Sequence, residues 1–221
     1  MRDCQALAGL VAFALATLPA FSAEPPAPDF VPTIAKEAAA EGNVAFARKD
    51  FATARRAYER VLELAPDNLL GLVNLGVVEF TAGNKERATE LLRRAVQIRI
   101  ETPPAWLTLG IIYMDQERFD EALAALTQAV WLDPRNARAR NYLGVVIGRK
   151  GWIDGAQSEL RRAVELDPEY ADAQFNLAAF YLEEKPPAIE LARRHYYRAI
   201  ELGAQTDPDI EKVLNSTPQK Q

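Results

Sequence analysis

The sequence predicts an all-α chain built as an α-solenoid of stacked helical hairpins. Three observations carry that prediction. Gly42, Gly76, Gly110 and Gly144 stand 34 residues apart, and Ala178 continues the series. Further series keep the step: Ala54, Ala88, Ala122 and Ala156; Val61, Ala95, Ala129 and Ala163; Leu75, Leu109, Leu143 and Leu177. Pro66, Pro134 and Pro168 punctuate the period, with Ile100 where a proline is due. A fixed period of this size marks copies of one supersecondary unit stacked in a row, not a domain around one core.

The elements follow in order. The first unit, 35–68, carries Gly42, Ala54, Tyr58 and Val61 and closes near Pro66. The second, 69–102, has Ile100 for the closing proline, but Pro103-Pro104 follow and suit a helix start. In the third, 103–136, Trp106, Leu109, Gly110 and Tyr113 mark one helical face at steps of three and four. Phe119, Ala122, Leu123, Leu126, Ala129 and Val130 mark a second, with Glu117-Arg118 as the polar turn between them. Gly110 is expected to face Ala122, so that the two helices of the hairpin approach closely. Asp133-Pro134 ends that helix, because proline lacks a donor and pushes its predecessor out of helical geometry. Asn136 is the expected N-cap of the fourth unit, 137–170. The fifth, 171–204, carries two extra residues in its turn, Glu184-Lys185-Pro186-Pro187. A short helix over about 207–215, with Ile210, Val213 and Leu214 apolar, supplies the terminal cap that a stack needs, and Ser216–Gln221 reads as a tail.

The run Trp106–Leu109–Gly110–Tyr113–Phe119–Ala122–Ala129–Pro134 resembles the tetratricopeptide repeat (TPR) signature, and five units over 35–204 share it. The resemblance implies a right-handed α-solenoid whose first helices line a concave groove that holds an extended segment or helix of a partner. One subclass of the family grips carboxylate tails with two asparagines and three basic residues. Asn43 and Asn74 fall on the asparagine positions, but the basic positions hold Ala39, Pro104 and Thr108. Without cations such a clamp does not hold a carboxylate tightly.

The register implied by the resemblance places Asn43, Val73, Asn74, Val77, Phe80, Leu107, Ile111, Met114, Asn141, Tyr142, Val145, Phe175 and Asn176 on the groove. Its centre is then an apolar stripe, and exposed apolar surface of that extent marks a contact site. The asparagines are expected to hold a partner's backbone amides. The expected partner is a protein or peptide, an amphipathic helix or apolar extended segment. Some of these side chains instead pack within and between first helices, which is the plainer alternative. A fold-back of Phe30–Ile34 into the groove, or a second copy filling it, is also open.

The charge and the amino terminus bound the setting. A formal net charge of −5 argues against nucleic acid as main partner. The Arg-Arg pairs at 55–56, 93–94, 161–162 and 193–194 lie beside carboxylates such as Glu59, Glu90 and Glu159, which reads as a solvated outer face. Arg2, the apolar run Ala6–Leu18 and the small-residue end Ala20–Ala23 read as a signal peptide for export to a bacterial cell envelope or periplasm. Cys4–Ala23 is also twenty uncharged residues, enough to span a bilayer if uncleaved. Glu24–Pro32, with prolines at 25, 26, 28 and 32, forms an extended spacer, and the first domain boundaries are thus 1–23 and 24–34.

No catalytic constellation is visible. His195 is the only histidine, and Ser22, Ser158 and Ser216 are the only serines. Cys4 is the only cysteine, so a usual zinc site has no ligand set. Gly148, Gly151 and Gly155 lack the Lys-Ser/Thr ending of a phosphate loop and read as a helix end and a turn. The expectation is a non-enzymatic scaffold with no cofactor and no small-molecule substrate, and a many-client holdase chaperone is the alternative.

Overall fold

A computed structural model describes residues 33–216. The leader, Cys4, most of the spacer and residues 217–221 lie outside the described residues, and so does Phe30 of the fold-back idea. Eleven helices and no strand occur among the described residues. They pair as α1 (Thr33–Ala47) with α2 (Phe51–Leu64), α3 (Leu69–Thr81) with α4 (Lys85–Ile98), α5 (Pro103–Asp115) with α6 (Phe119–Leu132), α7 (Ala137–Arg149) with α8 (Ile153–Leu166), and α9 (Ala171–Leu182) with α10 (Ile189–Glu201). α11 (Pro208–Ser216) follows.

Local chemistry sets these bounds. Asn68 and Asn136 accept from the backbone N–H three residues on, at 2.8 and 3.0 Å, and open α3 and α7. Asp50 does the same for α2 at 3.1 Å. The hairpin turns use a left-handed residue that itself follows the period: Lys49 (φ 61°), Gly83 (88°), Glu117 (57°) and Gly151 (84°). Glycine takes that conformation freely, whereas the side chains of Lys49 and Glu117 oppose it.

The recurrent glycines meet a leucine or tyrosine most closely, and Gly144 also meets the carbonyl of Ala156, the counterpart of Ala122, at 3.0 Å from the Cβ position. A Cβ on Gly76, Gly110 or Gly144 would stand 2.7, 2.5 or 2.8 Å from Cγ of Leu92, Leu126 or Leu160, and one on Gly42 would stand 2.7 Å from the Tyr58 ring. Ala122 is fully buried beside this contact, but the side chain that fills the space over Gly110 is Leu126. A leucine one turn further along the helix reaches back over the glycine, as helical side-chain direction requires.

Apolar burial runs as a chain of clusters. Tyr58, Leu75 and Val78 form one, Leu72, Leu92, Leu109, Ile112, Leu126 and Val146 the next, and Leu160, Leu177, Tyr196 and Leu214 the last. Fully burying each such side chain contributes about 1.5–3 kcal/mol. Both ends are finished differently. At the start, Glu37 and Glu41 are exposed in the registers that hold buried Ala105 and Leu109 in α5. At the other end, Leu214 of α11 is fully buried, Tyr196 Oη accepts from Asp207 N–H at 2.7 Å, and Arg193 donates to the Leu214 carbonyl.

The arginine pairs are tied into the outer surface, partly by unexpected partners. Arg55 grips the buried Glu79 of the next hairpin with two bonds, at 2.7 and 3.0 Å. Arg94 pairs with Asp67 at 2.6 Å, not with Glu90 four residues before it, and Arg93 donates to Tyr113 Oη at 2.9 Å. Glu59 and Glu159 pair with Arg87 and Arg140. Arg55, Arg87, Arg93 and Arg94 reach across to a neighbouring hairpin, whereas Arg140 and Glu159 pair within the fourth.

Candidate functional site: the inner face of the odd-numbered helices

Consecutive odd helices touch: α3 meets α5, α5 meets α7 and α7 meets α9. Even helices pack mainly against odd ones. The odd helices therefore form the inner side of the array, and they carry all the predicted site residues. Their placement is uneven. Asn43 is exposed; Asn74, Val77, Phe80, Leu107, Met114, Tyr142, Val145, Phe175 and Asn176 are half-buried. Val73, Ile111 and Asn141 lie beneath the surface, at 6, 5 and 2 % exposure. Val73 and Asn141 still contribute to the walls of hollows on this face, whereas Ile111 is taken up by packing between neighbouring helices.

Among the described residues, two hollows lie on the inner face. The first, about 270 Å³, lies across α1, α3 and the start of α5, with Asn43, Phe46, Val73, Asn74 and Val77 in its wall. Pro104, named above as a clamp position, also lines it; Leu69, Leu70, Thr102 and Tyr58 complete it and were not anticipated. The second, about 400 Å³, lies across α5, α7 and α9, with Met114, Asn141, Tyr142, Val145, Phe175 and Asn176. Asp172, Ala204 and Gln205 complete its wall. Phe80, Leu107 and Ile111 line neither hollow; Phe80 and Leu107 pack against the central core. The signal for Leu70 was present, since it shares a register with Pro104, the clamp position named above, and with Asp172 of the second hollow. Ala204 and Gln205 were hidden because the period breaks before them.

Each hollow contains a pair of linked asparagines braced by a tyrosine. Tyr58 Oη donates to Asn43 Oδ1 at 2.7 Å, and Asn74 Nδ2 donates to the same oxygen at 3.4 Å. Asn176 Nδ2 donates to Asn141 Oδ1 at 2.9 Å, and Asn141 Nδ2 donates to Tyr170 Oη at 3.3 Å. Burial pushes the Tyr170 hydroxyl far above the usual phenol range, with Tyr142 and Asp172 adding to it, and burial likewise raises Tyr58. Both hydroxyls thus stay neutral. Asn141 spends both ends of its amide inside the protein, so it orients Asn176 and does not itself reach a partner.

The electrostatics are bland. No charged residue lines the first hollow, and Asp172 is the sole charged one lining the second. Arg138 lies over the Tyr142 ring at 5.7 Å. Thr108, at a position where a carboxylate clamp needs a cation, is buried and donates to the Pro104 carbonyl at 2.8 Å. His195 sits away from this face, in α10: its Nδ1 is 2.7 Å from Gln174 Oε1 and its ring stacks on Tyr181 at 5.7 Å. Burial, then Arg194, holds its pKa below the ordinary imidazole value. Gly148 falls inside α7, where a Cβ would stand 2.1 Å from the Phe180 ring, while Gly151 makes the turn.

Comparison with known proteins agrees with this architecture. The family model described as tetratricopeptide repeat matches residues 39–103, and the one described as TPR repeat matches 110–151. Among solved structures, MamA is 25% identical, with 73% of this chain and 93% of that chain covered and a TM-score of 0.62. YrrB, a TPR protein with an unusual peptide-binding site, is 24% identical, with 80% and 89% covered and a TM-score of 0.62. PilF of Pseudomonas aeruginosa is 19% identical, with 83% and 88% covered and a TM-score of 0.71. With a 34-residue period carried by five helical hairpins, matches to two models of the family and three such folds beside it, the chain is a tetratricopeptide-repeat protein.

Proposed function

We propose that this protein is a non-enzymatic scaffold of the bacterial cell envelope that holds a partner's helix or extended segment along the inner face of α1, α3, α5, α7 and α9. The observation that carries this reading is the pair of hollows, with Asp172 as the one charged residue lining them, each with an apolar wall and a pre-oriented asparagine. Apolar side chains of the partner fill the hollows, and Asn74 and Asn176 meet its backbone amides. YrrB, which has a peptide-binding site, lends this reading support through its shared fold. Two separated hollows suit a segment with apolar side chains in two groups better than one evenly apolar helix.

The envelope setting rests on the sequence: a basic start, an apolar run, a small-residue end and a proline-rich spacer. Residues 1–23 serve as leader or anchor, 24–34 as spacer, 35–204 as the repeats, 205–215 as cap and 216–221 as tail.

Photo-crosslinking tests the reading. A photoreactive amino acid at Val77 or Met114, introduced in the native cells, captures one defined segment of one partner, while the same group at exposed Arg161 does not. Equal capture of many unrelated proteins at all three positions would replace the scaffold with a holdase. Capture at Arg161 alone would remove the inner face from the account.

A further inference from the structure

A further cleft lies away from the inner face, between α8, α9 and α10. It holds about 490 Å³, a size that suits a small ligand. Arg194, Tyr197, Arg198 and Glu201 stand at steps of three and four, so one face of α10 brings them to it. His195 joins them from the same helix. Val164 of α8, Pro168 of the following loop and Gln174 of α9 form the other walls.

Two polar groups here are left with nothing to bind. Gln174 Nε2 donates to the Pro168 carbonyl at 3.0 Å, so its oxygen is the end turned to His195 Nδ1, 2.7 Å away. Nδ1 therefore carries the hydrogen, and Nε2 of the neutral ring is an acceptor. Nε2 has no hydrogen-bond partner among the described residues. No buried polar side-chain atom among them lacks one, so Nε2 is open to solvent. Stacking on Tyr181 at 5.7 Å holds the plane of the ring. The second group is Arg194, which is exposed and makes no hydrogen bond or ion pair among the described residues, unlike Arg55, Arg93 and Arg94. Arg198 is paired with Glu201 at 3.0 Å, so those two charges offset each other. The charged and titratable groups around the ring are thus Arg194, Arg198, Tyr197 and Glu201 of its own helix and Tyr181 of α9. Val164 and Pro168 add no charge. What remains is one uncompensated cation beside an acceptor nitrogen, over an apolar floor of Val164, Pro168 and the Tyr197 ring.

We propose that this cleft binds a small apolar carboxylic acid as its anion, with Arg194 as the counter-charge and one proton taken up from water by His195 Nε2. A carboxylate only accepts hydrogen bonds, and so does Nε2 of the neutral ring. Gln174 keeps the other hydrogen on Nδ1, so the ring meets the anion by becoming imidazolium and donating from Nε2. The added proton stays on Nε2 while the acid is bound, and no other bond changes. In the free protein, burial and then Arg194 hold the ring below the ordinary imidazole value, so it is neutral near pH 7. A bound carboxylate opposes both effects. The bound ring then has the higher pKa, and affinity rises as pH falls through it. A phosphate carrying its own hydrogen could bond the neutral Nε2 and would need no such uptake. The cleft does not depend on the inner-face reading, since none of its residues lines either hollow.

His195 is the only histidine, so its ring C–H resonances report the site without ambiguity. The full chain, carrying no histidine tag, is titrated by proton NMR from about pH 5.5 to 8, where carboxylates are ionised. Sodium benzoate is compared with benzamide and sodium phosphate, all at one ionic strength set with sodium chloride. Benzoate is expected to move the His195 midpoint upward by about one pH unit, which is a ten-fold preference for the imidazolium form. Benzamide and phosphate are expected to leave it at the chloride value. Arg194 is exposed, so Arg194→Gln is expected to keep the circular dichroism and thermal midpoint while abolishing the response to benzoate. In His195→Gln, calorimetry is expected to show weaker benzoate binding that no longer strengthens as pH falls. No movement with benzoate, an equal movement with phosphate or benzamide, or a benzoate response that survives Arg194→Gln overturns the proposal. Crosslinking at Val77 and Met114 is unaffected by any of these results, so the two readings fail separately.

Discussion

Asn141 and Asn176, one hairpin apart, are joined by a 2.9 Å bond from Asn176 Nδ2 to Asn141 Oδ1, and Tyr170 secures the far end of Asn141. The buried member of the pair is structural and the half-buried member faces the hollow. Asn141→Ala would strand the Tyr170 hydroxyl and the Asn176 amide, at a cost of about 1–3 kcal/mol. Asn176→Ala should cost less than Asn141→Ala, since its own position is partly solvated. Urea unfolding followed by circular dichroism measures both, and the order of the two midpoints is the discriminating result.

Gly110 and Leu126 make a second pair. A Cβ at Gly110 would stand 2.5 Å from Leu126 Cγ, so Gly110→Val is expected to destabilise by about 1–3 kcal/mol through overpacking. Combining it with Leu126→Ala should recover part of that loss. The double-mutant cycle, read from thermal midpoints, should therefore show a favourable coupling.

Glu79 is fully buried and its carboxylate is held by Arg55, Asn84 and, at 3.7 Å, Arg87. Burial alone would raise its pKa, but the bonds from Arg55 and Asn84 win and the net shift is downward from 4.5. The folded state thus binds this proton less readily than the unfolded chain. The resulting stability is present above about pH 4.5 and is lost as pH falls through the depressed folded value. Glu79→Gln should flatten that acid limb in a pH series of urea midpoints. Glu79→Ala should cost about 3 kcal/mol at neutral pH.

Lys49 and Glu117 occupy the left-handed turn position that Gly83 and Gly151 fill elsewhere. Lys49→Gly and Glu117→Gly relieve about 1–2 kcal/mol of backbone strain each. They also loosen the unfolded chain by about 0.4–1 kcal/mol. The expected net change is a gain of up to about 1 kcal/mol apiece, measured by thermal unfolding.

Glu41 holds a place that Leu75, Leu109, Leu143 and Leu177 fill with buried side chains. It keeps the open face of α1 wet. Glu41→Leu should turn that face into an apolar end and drive concentration-dependent association, detectable by sedimentation velocity. A monomeric variant at all concentrations would contradict this.

Much of the architecture was legible because the stack writes its contacts at a constant step. Gly110 and Leu126 recur as Gly76 with Leu92 and Gly144 with Leu160, so one hairpin explains the next. Leu126 was not legible as the nearest side chain to Gly110, because periodicity gives the face of a helix but not how far a leucine reaches along it. The groove was less legible. Val73 and Leu107 share a register with Asn141, yet Val73 and Asn141 are buried while Leu107 is half-buried. That difference comes from the neighbouring helix, not from the residue's own position. Glu79 and its partner Arg55 were also invisible, since a buried carboxylate makes sense only once its cation is seen across the hairpin boundary.

The most direct measurement is calorimetric affinity for the partner segment that crosslinking at Val77 or Met114 identifies, supplied as a synthetic peptide. Val77→Asp and Met114→Asp place a new charge against the apolar walls of the hollows without disturbing fully buried positions, unlike Ile111→Asp. Each should weaken binding at least about ten-fold, roughly 1.4 kcal/mol, while Arg161→Asp on the outer face leaves it unchanged. Unaltered affinity in both inner-face variants would contradict the account.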